Sequence, residues 1–409
     1  MRELDHWSNR HSERLPMRVL IVGAGIAGPT LAYWLQRFGH EVTLVEHAPK
    51  LREGGYVVDF WGAGFDVADR MGIVPRLMDE GYVVREAREV SGGGRRIAHF
   101  DPRHVIGISG GRFVTIGRSD LSRAIYDAAD GNVEAVFGDT VTSLNDDGDR
   151  VQVEFQYAAP REFDLVVGAD GLHSRVRKLV FGADEEFERY LGITVAAFDV
   201  AGYRPRDELV AVMHTEVGDQ VLRLALHDDA TMFCFMFRYD GEVPQDDVDA
   251  QQELLRRRMG DVGWEVPAIL ERMPLARTFF LDRASQIRMP SWSSGRIALI
   301  GDAAAAPSLL AGQGSALAMI EAYVLACELH EAHGDHRAAF TGYERRLAPL
   351  VRGKQEAATR MGAAFAPRNR LQLLLRNAIV GLMVIPPIAN MAMGRSLVDP
   401  IRLPPVPVG

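Results

Sequence analysis

The chain has 409 residues, 47% hydrophobic and 25% charged, too long for one small core and typical of two or three packed globular units. Its formal net charge of −9 excludes a strongly basic surface and argues against a nucleic-acid partner. Cys234 and Cys327 sit in apolar stretches without metal or disulfide spacing, and the scattered histidines make no ligand set, so no metal site is expected.

In chain order, Met1 to Leu15 is polar, lacks the apolar segment of a signal peptide and reads as an extension before a fold that starts near Met17. A cytoplasmic location is expected. Val19 to Val22 is a continuous apolar run, the mark of a strand buried on both faces. Gly23-Ala-Gly25-Ile-Ala27-Gly28 follows and opens a helix that stops at Gly39. In this strand–turn–helix setting the first glycine allows the tight turn, the second lets a pyrophosphate approach the backbone, and the third lets helix pack on strand. Free amides at the helix start suit a phosphate. The next strand, Glu41 to Val45, ends on Glu46, placed to accept ribose hydroxyls. The unit predicts a dinucleotide site and leaves NAD, NADP and FAD open.

Downstream, a turn and short strand over 53–61 and a helix over Gly62 to Met71 precede a strand over Tyr82 to Val90 and its hairpin partner, Arg96 to Phe100. Phe113 to Gly117 is a strand leading into Arg118 and an N-capped helix through Ala129. Short strands follow at 132–137, 140–144 and 151–157, and Glu162 to Gly168 returns to the buried-strand pattern. After about Phe181 the pattern changes to consecutive antiparallel strands near 209–214, 221–227 and 231–239. In the last of these, Phe233, Phe235 and Phe237 share one face and Cys234 and Met236 the other. Helices follow over 246–259 and 267–273, then a buried strand at Arg296 to Gly301 and a buried helix over Ser315 to His330. A long amphipathic helix over Thr341 to Phe365 is expected to break near Pro349. Leu371 to Met393 is strongly apolar, yet Arg376, Asn377, Asn390 and Pro386-Pro387 interrupt it, so it reads as a helix packed on the body and not as a membrane span. Pro404 to Gly409 is expected to be a loose tail.

Two further motifs narrow the cofactor: Gly168-Ala-Asp170-Gly171, continuing to Ser174 and Arg177, and Gly301-Asp302 with Pro307 and Gly312-Gln-Gly314. Together with the N-terminal fingerprint, in order and spacing, they make the chain resemble the class A single-component FAD-dependent monooxygenases. This aromatic hydroxylase group includes para-hydroxybenzoate hydroxylase and tetracycline-inactivating monooxygenase. The resemblance runs from Met17 through essentially the whole chain. It implies an α/β fold: a Rossmann-like FAD-binding domain of the GR2 type, an interleaved mixed β-sheet substrate domain, and C-terminal helices. The corresponding division is an extension over 1–16, an FAD-binding domain over 17–185 and 286–345, a substrate domain over 186–285, and C-terminal helices and tail over 346–409. Residues 76–104 are candidates to join the substrate domain.

By the same resemblance, Gly23, Gly25, Ala27, Gly28 and Glu46 meet the adenosine-diphosphate end of FAD. Arg118 reaches its phosphate and ribityl region, where a guanidinium fork suits phosphate oxygens. Asp170 belongs to the pyrophosphate region, Asp302 to a ribityl hydroxyl, and Pro307, Gly312 and Gly314 to the flavin edge. Ala305 stands where the family usually has histidine, and Ala316 where asparagine is common. His214, Arg223 and Phe235 are the candidate substrate contacts, on the sheet that covers the flavin in this family. The implied activity is oxygen insertion, most naturally hydroxylation, into an aromatic or polycyclic small molecule, using NADPH or NADH and O2 by way of a flavin C4a-hydroperoxide. No catalytic side chain is required, since the flavin carries the chemistry. Three alternatives stay open: an FAD-dependent reductase or dehydrogenase that ignores O2, a non-catalytic FAD-binding protein, and a flavin halogenase. The halogenase is disfavoured because the chain has only Lys50, Lys178 and Lys354 and no W-x-W-x-I-P stretch. Substrate identity and oligomeric state are not legible.

Overall fold

A computed structural model describes residues 16–407, apart from 53, 55, 104–110, 130, 132, 246, 386 and 389–398. Its centre is a six-stranded sheet. Strand β1 (Arg18–Val22) lies in the middle, parallel to β2 (Glu41–Glu46) on one side and to β11 (Leu165–Gly168) on the other. Strand β7 (Glu134–Phe137) extends the β2 side, and β18 (Ile297–Leu299) with the short β17 (Ser293–Ser294) extends the β11 side. Val19, Leu20 and Ile21 are wholly buried, as the continuous apolar run required, in a core that they share with neighbouring helices and with Val141, Val151, Val153 and Phe163 of a small three-stranded sheet. Helix α1 (Ala27–Arg37) follows the fingerprint turn and packs against α10 (Gly314–Glu331), which is buried along most of its length.

Beside this layer stands a seven-stranded mixed sheet. Its spatial order is β16 (Phe279–Ile287), β12 (Glu188–Ala201), β15 (Ala230–Phe237), β14 (Asp219–Ala225), β13 (Val210–Glu216), β4 (Glu86–Val90) and β5 (Arg96–Phe100). The expected hairpin of β4 and β5 is present, and β4 runs parallel to β13. The fourteen-residue β12 had no clear sequence signal; its two edges pair with β15 and β16. One face of this sheet carries Phe198, Phe233, Phe235 and Phe237. They pack on α7 (Val248–Met259) and α8 (Val266–Arg272) in a core of their own. A separate two-stranded antiparallel sheet pairs β3 (Val57–Trp61) with β6 (Phe113–Gly117). Helix α4 (Arg118–Ala129) leaves β6 directly.

Several sequence expectations need correction. Tyr82 is not in the strand; it makes an isolated bridge to Thr115, and β4 begins only at Glu86. The helix α3 (Val74–Glu80), with proline in its first turn, was not foreseen. The long helix α11 begins earlier, spans His336–Phe365 and runs through Pro349 without ending. Packing against α10 outweighs the local cost of proline. The tail is anchored at Pro404, which is buried and whose carbonyl accepts hydrogen bonds from Arg70 at 2.6 Å and from the Tyr323 hydroxyl at 2.9 Å. Among the described residues no helix is long and apolar enough to cross a membrane. The N-terminal extension and residues 389–398 of the apolar C-terminal stretch lie outside the described residues.

Candidate functional site

The fingerprint turn is closed on one side and open on the other. Gly23 has φ of 110°, and a Cβ there would lie 2.5 Å from the Ala169 carbonyl oxygen. A Cβ on Gly28 would stand 1.9 Å from the oxygen of Gly23, so helix and strand meet through bare backbone. Gly25 is different. A Cβ there would meet nothing within 4 Å, so its missing side chain serves no protein neighbour and leaves room for something else. Ala27 is buried in the first turn of α1 and lies against Gly301, whose added Cβ would be 3.1 Å from the Ala27 methyl. Glu46 closes the loop: one carboxylate oxygen accepts from the Ala24 N–H and the other from the Ala48 N–H, both at 2.8 Å. Each oxygen keeps a lone pair for a further donor.

The second and third motifs converge on the same end of the sheet. Asp170 follows β11 and spends its carboxylate on local structure. It accepts from the Ser174 hydroxyl at 2.5 Å and from the amides of Arg175 and Val176 at 2.7 and 3.0 Å, at the start of helix α5 (Arg175–Val180). Burial raises its pKa against the pull of these bonds. These contacts orient the Gly171 turn, where φ is 82° and an added Cβ would again meet nothing.

Asp302 opens the short helix α9 (Asp302–Ala305) after Gly301. It is solvent-accessible yet enclosed by protein, which describes a carboxylate lining an internal cleft. Burial raises its pKa, and the nearby positive charge of Arg118 opposes the rise. Among the described residues the guanidinium of half-buried Arg118 makes no hydrogen bond or ion pair, while its backbone N–H bonds the Tyr56 carbonyl at 3.1 Å. The Tyr56 phenol, within the field of both Arg118 and Asp302, is raised chiefly by burial.

Beyond Asp302 runs the loop with Pro307, Ser308 and Gly312. Gly312 is left-handed at φ 63°, and Ser308 holds φ of 87°, a conformation that non-glycine residues rarely adopt and that clusters at working sites. Helix α10 then starts at Gly314, where an added Cβ would lie 3.9 Å from an Asp302 oxygen. The positive end of an eighteen-residue helix thus faces the cleft and favours negative charge there.

Two residues outside the sequence motifs, Asp59 and Glu321, and Arg177 at the end of the second motif complete this corner. Asp59 on β3 is exposed to the same kind of enclosed space; it accepts from the Thr115 hydroxyl at 2.6 Å, and burial raises its pKa. Its only sequence signal is one acid inside Val57-Val58-Asp59-Phe60-Trp61. Arg177, wholly buried, donates to the carbonyls of Ala303 at 3.0 Å and Leu172 at 2.6 Å and to Asp184 at 2.6 Å, tying the Asp170 segment to the Asp302 segment. Glu321, also wholly buried, accepts the Gly301 N–H, and desolvation pushes its pKa well above the ordinary carboxylate range.

The seven-stranded sheet supplies the far wall of the cleft. Its registers place Phe280, Ala197, Cys234, Leu222 and Met213 in one row across neighbouring strands. Cys234, Leu222, Met213 and Phe280 are only half-buried, so this face borders open space. Phe280 touches the Tyr56 ring, and burial pushes the Cys234 thiol up to about 12.

The three candidate substrate residues are on the opposite face, and the structure does not bring them to this cleft. Phe235 is fully buried against Phe198 and the α7–α8 core. Arg223 is held by Glu265 and Asp207. His214 spans the Val90 carbonyl and Glu216, each at 2.9 Å. The period-two alternation is correct; which face meets the cleft depends on what packs on each side, and that is a tertiary matter. Phe235→Ala is therefore expected to cost about 3–5 kcal/mol of stability, read from denaturant midpoints, with flavin content of the folded fraction unchanged.

A model of the FAD binding domain matches residues 16–351. An uncharacterized protein of Mycobacterium tuberculosis is 38% identical over 347 residues, covering 82% of this chain and 91% of that one. A flavin-dependent monooxygenase from an unknown prokaryotic organism is 35% identical over 342 residues, covering 83% and 87%. Among solved structures, tetracycline destructase Tet(51) superposes with a TM-score of 0.81 at 30% identity, over 96% of this chain and all of that one. The chain belongs to the FAD-binding-domain family and is an FAD-dependent monooxygenase.

Proposed function

We propose that the protein uses NADPH or NADH and O2 to insert one oxygen atom into an aromatic or polycyclic small molecule, with the cleft between the two sheets holding cofactor and substrate. Bound FAD supplies the redox and oxygen chemistry. The residues present fit such a group. Gly25 leaves open space at the start of α1, where phosphate charge is favoured, and Glu46 retains acceptors for a ribose. Arg118 offers an uncommitted guanidinium, and Asp302 and Asp59 offer carboxylates to an enclosed space. Asp170 acts one step back by orienting the Gly171 turn. Pro307, Gly312 and the α10 start at Gly314 would border the ring, with the α10 amides stabilising negative charge at its edge.

The observation that carries the reading is the paired character of the cleft. One wall is a strip of charged groups and helix N-termini; the other is the apolar row from Phe280 through Cys234 and Leu222 to Met213. The polar wall suits a dinucleotide. The apolar wall suits a hydrophobic planar substrate and excludes water from the reaction. A screen of phenols and polycyclic compounds is expected to yield one that accelerates NAD(P)H oxidation and gains one oxygen atom by mass, with the second oxygen leaving as water. Equal turnover under strict anaerobiosis would point to the reductase instead.

Asp302 allows a separable check. Because its folded pKa is raised, its ionised form opposes folding: stability is fully present below the unfolded pKa and is lost as pH rises through the folded one. Asp302→Asn in FAD-stripped protein is expected to melt higher than wild type at neutral pH, with the difference vanishing in acid. The same variant is expected to bind FAD roughly tenfold more weakly or worse, followed by flavin fluorescence quenching. A variant that binds FAD as wild type does would remove Asp302 from the cofactor site.

A further inference from the structure

Helix α12 (Arg370–Leu382) carries its apolar face outward. At helical spacing Leu371, Leu374, Leu375, Ala378, Ile379 and Leu382 share one side, and all are exposed, Leu371 at 76% and Leu374 at 67%. Val384 and Ile385 continue the exposed strip past the helix end. Of eighteen large hydrophobic side chains exposed among the described residues, seven lie between Leu371 and Ile385, so this is one concentrated patch and not the usual scatter. The opposite side is tied to the body. Arg376 pairs with the buried Glu89 of β4 at 2.7 Å and donates to the Ala364 carbonyl at 3.2 Å. Met383, just past the helix, is buried beside Trp61, Phe100 and Phe113. Rotating the helix to hide its leucines would strip Glu89 of its cation, so the buried ion pair holds the apolar face outward.

The charge around the patch is as uneven as its hydrophobicity. From Ala357 to Val398 there is no Asp or Glu and there are five arginines, in a chain of net charge −9. Arg368 and Arg370 are exposed beside the start of the leucine face. A thirteen-residue helix is about 20 Å long, and a face about 10 Å wide offers about 200 Å², far below the roughly 800 Å² per partner of a stable protein interface. Leucines on one side with flanking arginines match a helix lying in the plane of a bilayer.

We propose that the outer face of α12 is a peripheral membrane-binding surface for bilayers rich in anionic phospholipid. The leucines enter the acyl boundary and Arg368 and Arg370 meet the headgroups. The inference does not depend on the substrate proposed above.

The test uses the FAD-loaded full chain and sedimentable vesicles, either equimolar phosphatidylglycerol and phosphatidylcholine or phosphatidylcholine alone. The protein is expected to partition at least roughly tenfold more strongly onto the anionic vesicles, and high salt is expected to weaken this preference. The triple variant Leu371→Asn, Leu374→Asn, Leu375→Asn is expected to lose binding while keeping its flavin spectrum and far-ultraviolet dichroism. Arg368→Gln with Arg370→Gln, which leaves the apolar strip intact, is expected to lower the anionic preference roughly tenfold, and it decides the matter if the triple variant misfolds. Failure of wild type to sediment with anionic vesicles overturns the proposal, as does undiminished binding by a folded triple variant. Concentration-dependent self-association that the triple variant abolishes, without vesicle binding, would assign the face to a second copy instead.

Discussion

Gly25→Val is expected to yield a folded protein that no longer retains FAD, whereas Gly28→Ala, a smaller change three residues on, is expected to compromise the fold itself. At Gly25 an added Cβ meets nothing within 4 Å, so the valine displaces no protein atom and fills the space left for the cofactor's phosphates. The expected loss is roughly 100-fold in FAD affinity, equivalent to about 2.7 kcal/mol, with an unchanged melting temperature of the FAD-stripped form. At Gly28 the Cβ would sit 1.9 Å from the Gly23 oxygen, a backbone atom that cannot step aside without moving β1 or α1. Alanine's better helix propensity is worth only about 1 kcal/mol. Overpacking typically costs about 1–3 kcal/mol and occasionally more, and a 1.9 Å approach to a backbone atom belongs at the upper end, so the clash wins. Flavin absorbance of the purified variants and thermal unfolding followed by dichroism separate the two outcomes. If Gly25→Val holds FAD normally, the open side of the turn is not the cofactor site.

Arg177→Met is expected to cost about 3–5 kcal/mol, because methionine fills the space but leaves buried acceptors without a donor. The Ala303 and Leu172 carbonyls would lose their partners, and Asp184 would keep only Lys178. Arg177→Lys is expected to recover little, since one ammonium cannot reach three acceptors in different directions. The pH dependence carries a sign. Burial alone would raise the Asp184 pKa, but Lys178 and Arg177 together hold it below its usual value. Its contribution is therefore present above the unfolded carboxylate pKa and is lost as pH falls through the lower folded one. The stability gap between wild type and Arg177→Met is expected to narrow below about pH 4, measured by urea unfolding across the acid range. A gap independent of pH would mean that Arg177 acts through packing and its carbonyl bonds alone.

The parts of this protein that were legible in sequence are those governed by short-range rules. The β1–turn–α1 unit follows from a continuous apolar run and three glycines, and the structure gives each glycine a distinct environment. The alternation of Phe233, Phe235 and Phe237 with Cys234 and Met236 follows from the strand period alone. Spacing among three separated motifs was enough to name the family, because each is a local backbone shape that a bound dinucleotide demands.

What tertiary structure decided is which groups meet. His214, Arg223 and Phe235 lie together on the face of the sheet that α7 and α8 pack against, opposite the row of Phe280, Cys234, Leu222 and Met213, and nothing local in the sequence says which face packs on which neighbour. Asp59, Arg177 and Glu321 matter through partners far away in the chain or on other elements: Thr115, Ala303 and Gly301. No local pattern encodes such a meeting. Helix α12 is the extreme case. Its sequence predicts an apolar helix, and ordinary packing would turn the leucines inward. The pairing of Arg376 with Glu89, nearly three hundred positions apart, turns them outward. The sequence by itself determined the β1–turn–α1 dinucleotide unit and the alternation of the phenylalanine strand, because those depend on local backbone and hydrophobic period. Only the assembled fold decided the orientation of each face, because that is set by buried charges finding their partners.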